Sequence, residues 1–415
     1  MTIARLAVAS TLSILLAAAT TPARADPLTF EGALALARAN APSLQATALG
    51  VDASRAARGA AGALPDPKLT VGIDGFPVSG PNAFEPSRED FAAVRVGISQ
   101  DVPNPAKRRA ERSRADANIA VASAEAMREA RSVEVGTATA WISLAYAEKR
   151  VAGLDEVRAR LDRLVRTTPS AVASGVARPG QTLAGRQALA ALDDKRTELL
   201  AAVGRARAEL TRWTGDVAPV VTGSLPVFAI DRANLRAAIG TNPLLAPVYA
   251  RAGQAAADVR LAEAERRPDF GAEVAYQHRD PRFGDMVSAG VTVSLPFIRR
   301  GRQNALIAAR QAEAGKVRAE QDAAQRELEA RLEAELADHA MHHEQWNRSR
   351  ETLEPLARER VDLETASYGA GRASLIDVVD AHTALVEATL VALDREALLA
   401  IDEARLTLTY RSATR

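Results

Sequence analysis

The chain carries nearly the same turn twice. Residues 367–382 read SYGAGRASLIDVVDAH, and residues 173–187 read ASGVARPGQTLAGRQ. Gly369 answers Gly175 and Arg372 answers Arg178, each pair 194 residues apart in a chain of 415. Both turns stand before a long helical pattern. Such a duplication constrains the fold more than any single motif, because each copy must be one structural unit that packs on the other.

The order of elements bears this out along the whole chain. A helix over about 28–62 leads to a strand, a loop, a strand, a long helix over about 105–168, the turn, and a helix over about 176–213. The same order then recurs. A helix over about 231–266 leads to a strand, a short loop, a strand, a long helix over about 300–366, the turn, and a helix over about 373–411. The punctuation recurs too. Asn40-Ala41-Pro42 answers Asn242-Pro243, Pro65 and Pro67 answer Pro268, and Val102-Pro103 answers Leu295-Pro296. The division expected is a signal peptide at 1–25, a first repeat at 26–220 and a second at 221–415.

Proline spacing sets the helix lengths. No proline lies between Pro105 and Pro169, or between Pro296 and Pro355. A continuous helix of that length runs ~90 Å, and helices so long need coiled-coil neighbours. Abundant alanine and 4% aromatic residues suit close helix packing. Leu328, Leu332 and Leu336 form an i, i+4 row. The last helix carries apolar pairs such as Leu375/Ile376, Leu390/Val391 and Leu398/Leu399, a stripe wide enough to touch neighbours on two sides.

Four segments alternate with period two. Leu69, Val71 and Ile73 alternate with Lys68, Thr70, Gly72 and Asp74, and Val94, Val96 and Ile98 with Arg95, Gly97 and Ser99. Phe270, Ala272, Val274 and Tyr276 alternate with Gly271, Glu273 and Gln277, and Val287 to Leu295 repeat the pattern. Each is about the length a tilted strand needs to cross a bilayer. A small sheet packed on a helix is the commoner fate of such strands. Against it, Lys68, Asp74, Arg95 and Glu273 sit mid-strand, as a wet barrel lumen permits. Four strands do not close a barrel, and an open edge in lipid leaves costly unpaired backbone groups. The chain is therefore expected to oligomerise, with two copies supplying eight strands or three supplying twelve.

The N-terminus has a basic Arg5, an apolar run from Leu6 to Ala19 and an Ala23-Arg24-Ala25 cleavage pattern, which reads as a secretory signal cut before Asp26. No later apolar run is long enough for a transmembrane helix. The absence of cysteine excludes disulfides, thiolate zinc sites and a lipidated N-terminal cysteine. With 53 basic and 52 acidic residues, no nucleic-acid partner is implied. No phosphate-binding loop or G-x-S-x-G nucleophile elbow is present, so no enzyme and no cofactor is expected.

With the duplicated order and the phrase YGAGRASLIDVVDAH, the chain resembles the TolC-like outer-membrane efflux family over essentially its whole mature length. The phrase is similar to that family's Y-x-x-G-x-x-S-x-x-D-V-x-D-A tip pattern. The resemblance implies a mainly α fold with a small β part: a long coiled-coil α-barrel, and four strands contributed to a shared trimeric transmembrane β-barrel. It implies a homotrimer in the outer membrane, reaching through the periplasm to a membrane-fusion adaptor and an inner-membrane pump. Tyr368, Gly369, Gly371 and Arg372, with Gly175 and Arg178, would form the tip that meets the adaptor. Asp377 and Asp380 match the two acidic positions of the tip constriction; Leu183 and Arg186 stand there in the first repeat, so only the second supplies the ring. The two aspartates are i, i+3 near a helix start, which shares a face and suits the helix dipole. The segments at 63–84 and 99–112 look like the heavy-metal branch, which implies metal cations as cargo. A soluble periplasmic coiled-coil scaffold or adaptor is the alternative.

His339, His342 and His343 lie together in ADHAMHHEQ. His339 and His343 have an i, i+4 spacing that can chelate Zn or Cu, but a solvated helix face is the commoner state, and no metal site is assigned. Trp141, Trp213 and Trp346 read as packing residues. Phe270, Tyr276 and Phe297 lie near strand ends, where barrels place aromatic girdles. The loop at 76–91 reads as external.

Overall fold

A computed structural model describes residues 27–173, 179–295 and 299–411. The signal segment, Gly175, Arg178 and Phe297 lie outside the described residues. The first half contains α1 (Phe30–Asn40), α2 (Pro42–Ala60), β1 (Lys68–Asp74), β2 (Ala93–Val102), α3 (Pro105–Ala173) and α4 (Pro179–Thr214). The second contains α5 (Arg232–Ala238), α6 (Ala246–Ala264), β3 (Phe270–His278), β4 (Met286–Val293), α7 (Asn304–Arg348), α8 (Glu354–Gly369) and α9 (Leu375–Tyr410).

Three expected helices are broken, each at a proline. The helix over 28–62 splits at Ala41, whose extended φ −64°, ψ 116° is what a residue before proline adopts. Asn242-Pro243 separates α5 from α6. The helix over 300–366 loosens into a π-helical turn, Ser349–Leu353, just before Pro355, whose missing N–H cannot continue the ladder. The first long helix is continuous: α3 has 69 residues, which gives a rod of ~100 Å.

Packing follows the duplication. α3 is the spine, with α2, α4, α6 and α9 along it. α7 packs on α6 and α9, and α8 on α9. One core gathers Phe30, Trp141, Ile142, Leu144 and Leu210 around the junction of α1, α3 and α4. Trp141 is buried, stacks edge-on with Phe30 at 5.6 Å, and donates Nε1–H to the Leu28 carbonyl at 2.9 Å. A second core, with Leu154, Leu161, Leu375, Leu385 and Leu390, holds the coiled coil nearer the tip. The Leu328, Leu332, Leu336 row is buried against Leu406 and Tyr410. Two apolar pairs of α9, Val378/Val379 and Leu385/Val386, are buried at both positions, whereas in others one member is buried and the other exposed: Leu375 is 0% exposed and Ile376 44%, Leu390 7% and Val391 41%.

Candidate functional site, a two-faced sheet above a helical tip

The four strands form one antiparallel sheet in the order β1-β2-β3-β4. Its register sorts the side chains onto two faces. Leu69 pairs with Ile98, Val71 with Val96 and Ile73 with Val94. These continue across β2 and β3 as Val94 with His278, Val96 with Tyr276 and Ile98 with Val274, and across β3 and β4 as Val274 with Ala289 and Tyr276 with Val287. One face is thus almost wholly apolar, and it is bare: Val71 is 67% exposed, Val287 72% and Val291 75%. Phe270 and Tyr276 lie on this face toward its helical and outer ends.

The opposite face is polar and ion-paired. Lys68, Asp74, Arg95 and Glu273 all lie on it, as expected, and the register brings them together. Arg95 hydrogen-bonds Glu273 across β2 and β3, and its Nη1 lies 3.6 Å from Asp74 Oδ2. Lys68 Nζ donates to Asp101 Oδ2 at 2.6 Å. Asp101 was not picked out from the sequence. It continues the odd-numbered polar series of β2, two residues beyond Ser99, and that alternation was the available signal.

The sheet is fastened to the helices at Asn104, which is buried. Its backbone N–H and Nδ2 both donate to Asp269 Oδ1, at 2.8 and 2.9 Å. Its own Oδ1 accepts from the Lys107 N–H at 2.8 Å, capping α3 just before Pro105 at the helix start. Asp269 also accepts an ion pair from Lys107 at 3.6 Å. One side chain therefore joins the two repeats where strand becomes helix.

At the other end, the turn between α8 and α9 is built by Gly371 at φ 71°, a conformation that favours glycine. The Arg372 N–H donates to the Ser367 carbonyl at 2.8 Å, closing the turn. Ser374 then caps α9. Its N–H and hydroxyl each donate to Asp377 Oδ2 at 2.8 Å, and the Asp377 N–H returns to Ser374 Oγ at 3.3 Å. This reciprocal box was implicit in the S-x-x-D spacing. The Ser374 backbone bond first, and then its hydroxyl, hold the Asp377 carboxyl below the usual range. Asp377 and Asp380 are both exposed, with Ile376, on one face of α9. Gly369, Gly371 and Arg372 are exposed and Tyr368 is half-buried. His382, one turn past Asp377, is buried; desolvation, then Arg160, pushes its ring pKa down, while Asp362 acts in the opposite direction.

Two of the three histidines of α7, His339 and His342, do not lie on a solvated face, which corrects the expectation for them. His339 is almost buried against α9, its Nε2 3.9 Å from Glu403 Oε1, and His342 Nδ1 lies 2.6 Å from Asp402 Oδ2. His343 is exposed. The rings of His339 and His343 stand 6.3 Å apart. Among the described residues no set of three His, Cys, Asp or Glu side chains is arranged to hold a metal.

An open sheet with one bare apolar face and one charged face, carried on rods of coiled coil, has the form that a subunit of an outer-membrane channel would take. Residues 234–409 match the family model described as Outer membrane efflux protein. Over 380 residues the chain is 25% identical to the cobalt-zinc-cadmium resistance protein CzcC of Cupriavidus metallidurans, covering 88% of this chain and 85% of that one. It shares its fold with crystal structures of CusC (TM-score 0.79, 13% identity, 94% of this chain and 93% of that). The CmeC outer membrane channel of Campylobacter jejuni is similar (0.77, 12%, 93% and 87%). So is the open state of the MtrE channel of Neisseria gonorrhoeae (0.73, 16%, 94% and 90%). The resemblance to TolC-like efflux proteins and the location in the outer membrane are borne out by these similarities. The matching family model and the similar folds are those of channels rather than enzymes.

Proposed function

We propose that this chain is the outer-membrane duct of a tripartite efflux system, a homotrimer whose three sheets close a twelve-stranded barrel over a shared helical tunnel. One observation carries the reading. β1 and β4 are the edges of a four-stranded sheet whose apolar face none of the described residues covers. Unpaired edges in lipid are too costly to leave open, so other copies must pair with them. Lys68, Asp74, Arg95, Asp101 and Glu273 then line the lumen. A soluble scaffold would hide that face against its own helices, and here they pack on one another instead.

The cargo is read as metal cations. This rests on the similarity to a cobalt-zinc-cadmium resistance protein and to CusC, together with the segments at 63–84 and 99–112. Asp377 and Asp380 are assigned to the constriction: three copies of each, exposed on one face of α9, would ring the tunnel mouth. Like charges held close repel one another, so the ring would attract cations and need little force to part. Tyr368, Gly369, Gly371 and Arg372, with Gly175 and Arg178, are assigned to the contact with a periplasmic adaptor, which couples the duct to an inner-membrane pump. The repeats are taken to divide at 220/221.

Native mass measurement of the detergent-extracted outer-membrane fraction tests the assembly. Three subunits are expected, and a monomer in the soluble periplasmic fraction would refute the duct. Substituting Asp377→Asn with Asp380→Asn should lower single-channel cation conductance and weaken block by divalent cations. Unchanged conductance and block would remove these residues from the constriction.

A further inference from the structure

The two external loops make a cavity that the duct does not use. It has a volume of about 330 Å³ and is lined by Ile73, Phe76, Ala92, Val94, His278 and Pro281 among others, within the ~300–1,000 Å³ of ligand pockets. Its floor decides which side it opens on. Ile73 pairs with Val94 and Val94 with His278, the outermost row of the bare apolar face. The cavity is therefore the outward continuation of that face and lies on the side away from the ion-paired lumen.

The cavity is a built feature. Arg279 ties the loops together, donating from Nε to the Gly284 carbonyl at 2.7 Å, from Nη2 to Phe283 at 2.6 Å and from Nη1 to Asp90 of the other loop at 3.1 Å. Phe84 stacks edge-on with Phe76, ring centroids 6.4 Å apart, and is 70% exposed. It holds φ at 63°, a strained backbone conformation that is rare for an aromatic residue. Such a conformation persists where the surrounding structure holds it, and here it presents an exposed ring next to Phe76, which lines the cavity.

Building on the membrane reading above, we infer that this cavity takes an acyl chain of an outer-leaflet lipid, with Phe84 lying in the membrane interface over it. The occupant follows from continuity: the surface below the cavity is lipid-facing, and its lining is mainly hydrocarbon. The loops would then anchor the rim of the duct in the bilayer and leave its mouth clear.

The test uses the full chain, assembled and reconstituted into vesicles of phosphatidylcholine brominated on the acyl chain. The native Trp141, Trp213 and Trp346 lie on α3, α4 and α7, so the wild type supplies a constant background. Phe84→Trp is the probe, Phe91→Trp is a second probe in case position 84 does not tolerate the change, and Val71→Trp marks the sheet face. Quenching of the loop probe by the brominated chain to within about twofold of Val71→Trp, with weak quenching by aqueous acrylamide, is the expected result. Strong acrylamide quenching of the loop probe, with lipid quenching confined to Val71→Trp, would overturn the inference and leave the duct intact. Absence of lipid quenching at Val71→Trp as well would overturn both.

Discussion

Asn242 donates from Nδ2 to the carbonyl of Thr409 at 2.9 Å, and Asn40 does the same to Thr214 at 3.2 Å. Each asparagine opens one half of the chain, and each accepting carbonyl closes the last helix of that half. The last carbonyls of a helix lack intrahelical partners, so a side chain from the start of the repeat satisfies its end. Asn242 is 1% exposed and also accepts from the Leu244 N–H at 2.9 Å. Asn242→Ala should destabilise by about 1–3 kcal/mol, since it strands a buried carbonyl. Asn40→Ala, whose bond is longer and less enclosed, should cost less. Denaturant unfolding of both variants in detergent checks the order, and equal losses would contradict it.

Glu134 is the buried counter-ion for three arginines. Arg38 Nη2 lies 2.7 Å from its Oε1, Arg411 Nη2 reaches both oxygens at 2.8 and 3.0 Å, and Arg131 Nη1 stands 3.5 Å from Oε2. Arg131 is itself buried, at 8% exposure, and also hydrogen-bonds the Leu408 carbonyl. Glu134→Ala would leave that guanidinium enclosed without its carboxylate, and a loss of about 3–5 kcal/mol is expected. Arg38→Ala removes a half-exposed partner and should cost under about 1 kcal/mol. Thermal unfolding of the two variants separates them.

The register distinguishes adjacent residues of one strand. Val71→Arg places a charge on the bare face, at a cost of about 2–4 kcal/mol near the middle of a bilayer. Thr70→Arg places the same charge on the lumen face. The first should sharply reduce the heat-resistant oligomer in outer-membrane fractions, and the second should leave it near wild-type abundance. Comparable yields would mean that the faces are misassigned.

His382 sets a pH response at the tip. Its ring is buried and its pKa depressed by desolvation and by Arg160. In the unfolded chain the ring takes a proton more readily than in the folded one. Stability is therefore intact above the ordinary histidine value near 6.5 and falls as pH drops below it. Hydrogen exchange in α9 at pH 7.5 and 5.5 should show faster opening at the lower value, and His382→Phe should reduce the difference. The Ser374–Asp377 box acts lower on the scale. Asp377 has a depressed pKa, so its support holds above the usual carboxylate range and is lost only as pH falls through its folded value.

What the sequence determined by itself is periodic and local. Alternation from Leu69 to Asp74 and from Phe270 to Gln277 named the two faces of the sheet, because strand side chains alternate whatever the strand pairs with. Proline spacing placed the long helices, and the S-x-x-D of Ser374 and Asp377 announced a cap. Prolines inside three expected helices carried the signal for breaks that the periodic pattern alone left continuous, through the backbone geometry that proline imposes on its neighbours. Tertiary structure alone decided which distant side chains meet. Nothing local links Arg95 to Glu273, Asn104 to Asp269 or Glu134 to Arg411, because those partners are chosen by strand register and helix packing between segments 165 to 277 residues apart. The same is true of His339 and His342, whose helical spacing fits a wet face or a packed one equally. Only the approach of α9 put them against Asp402 and Glu403.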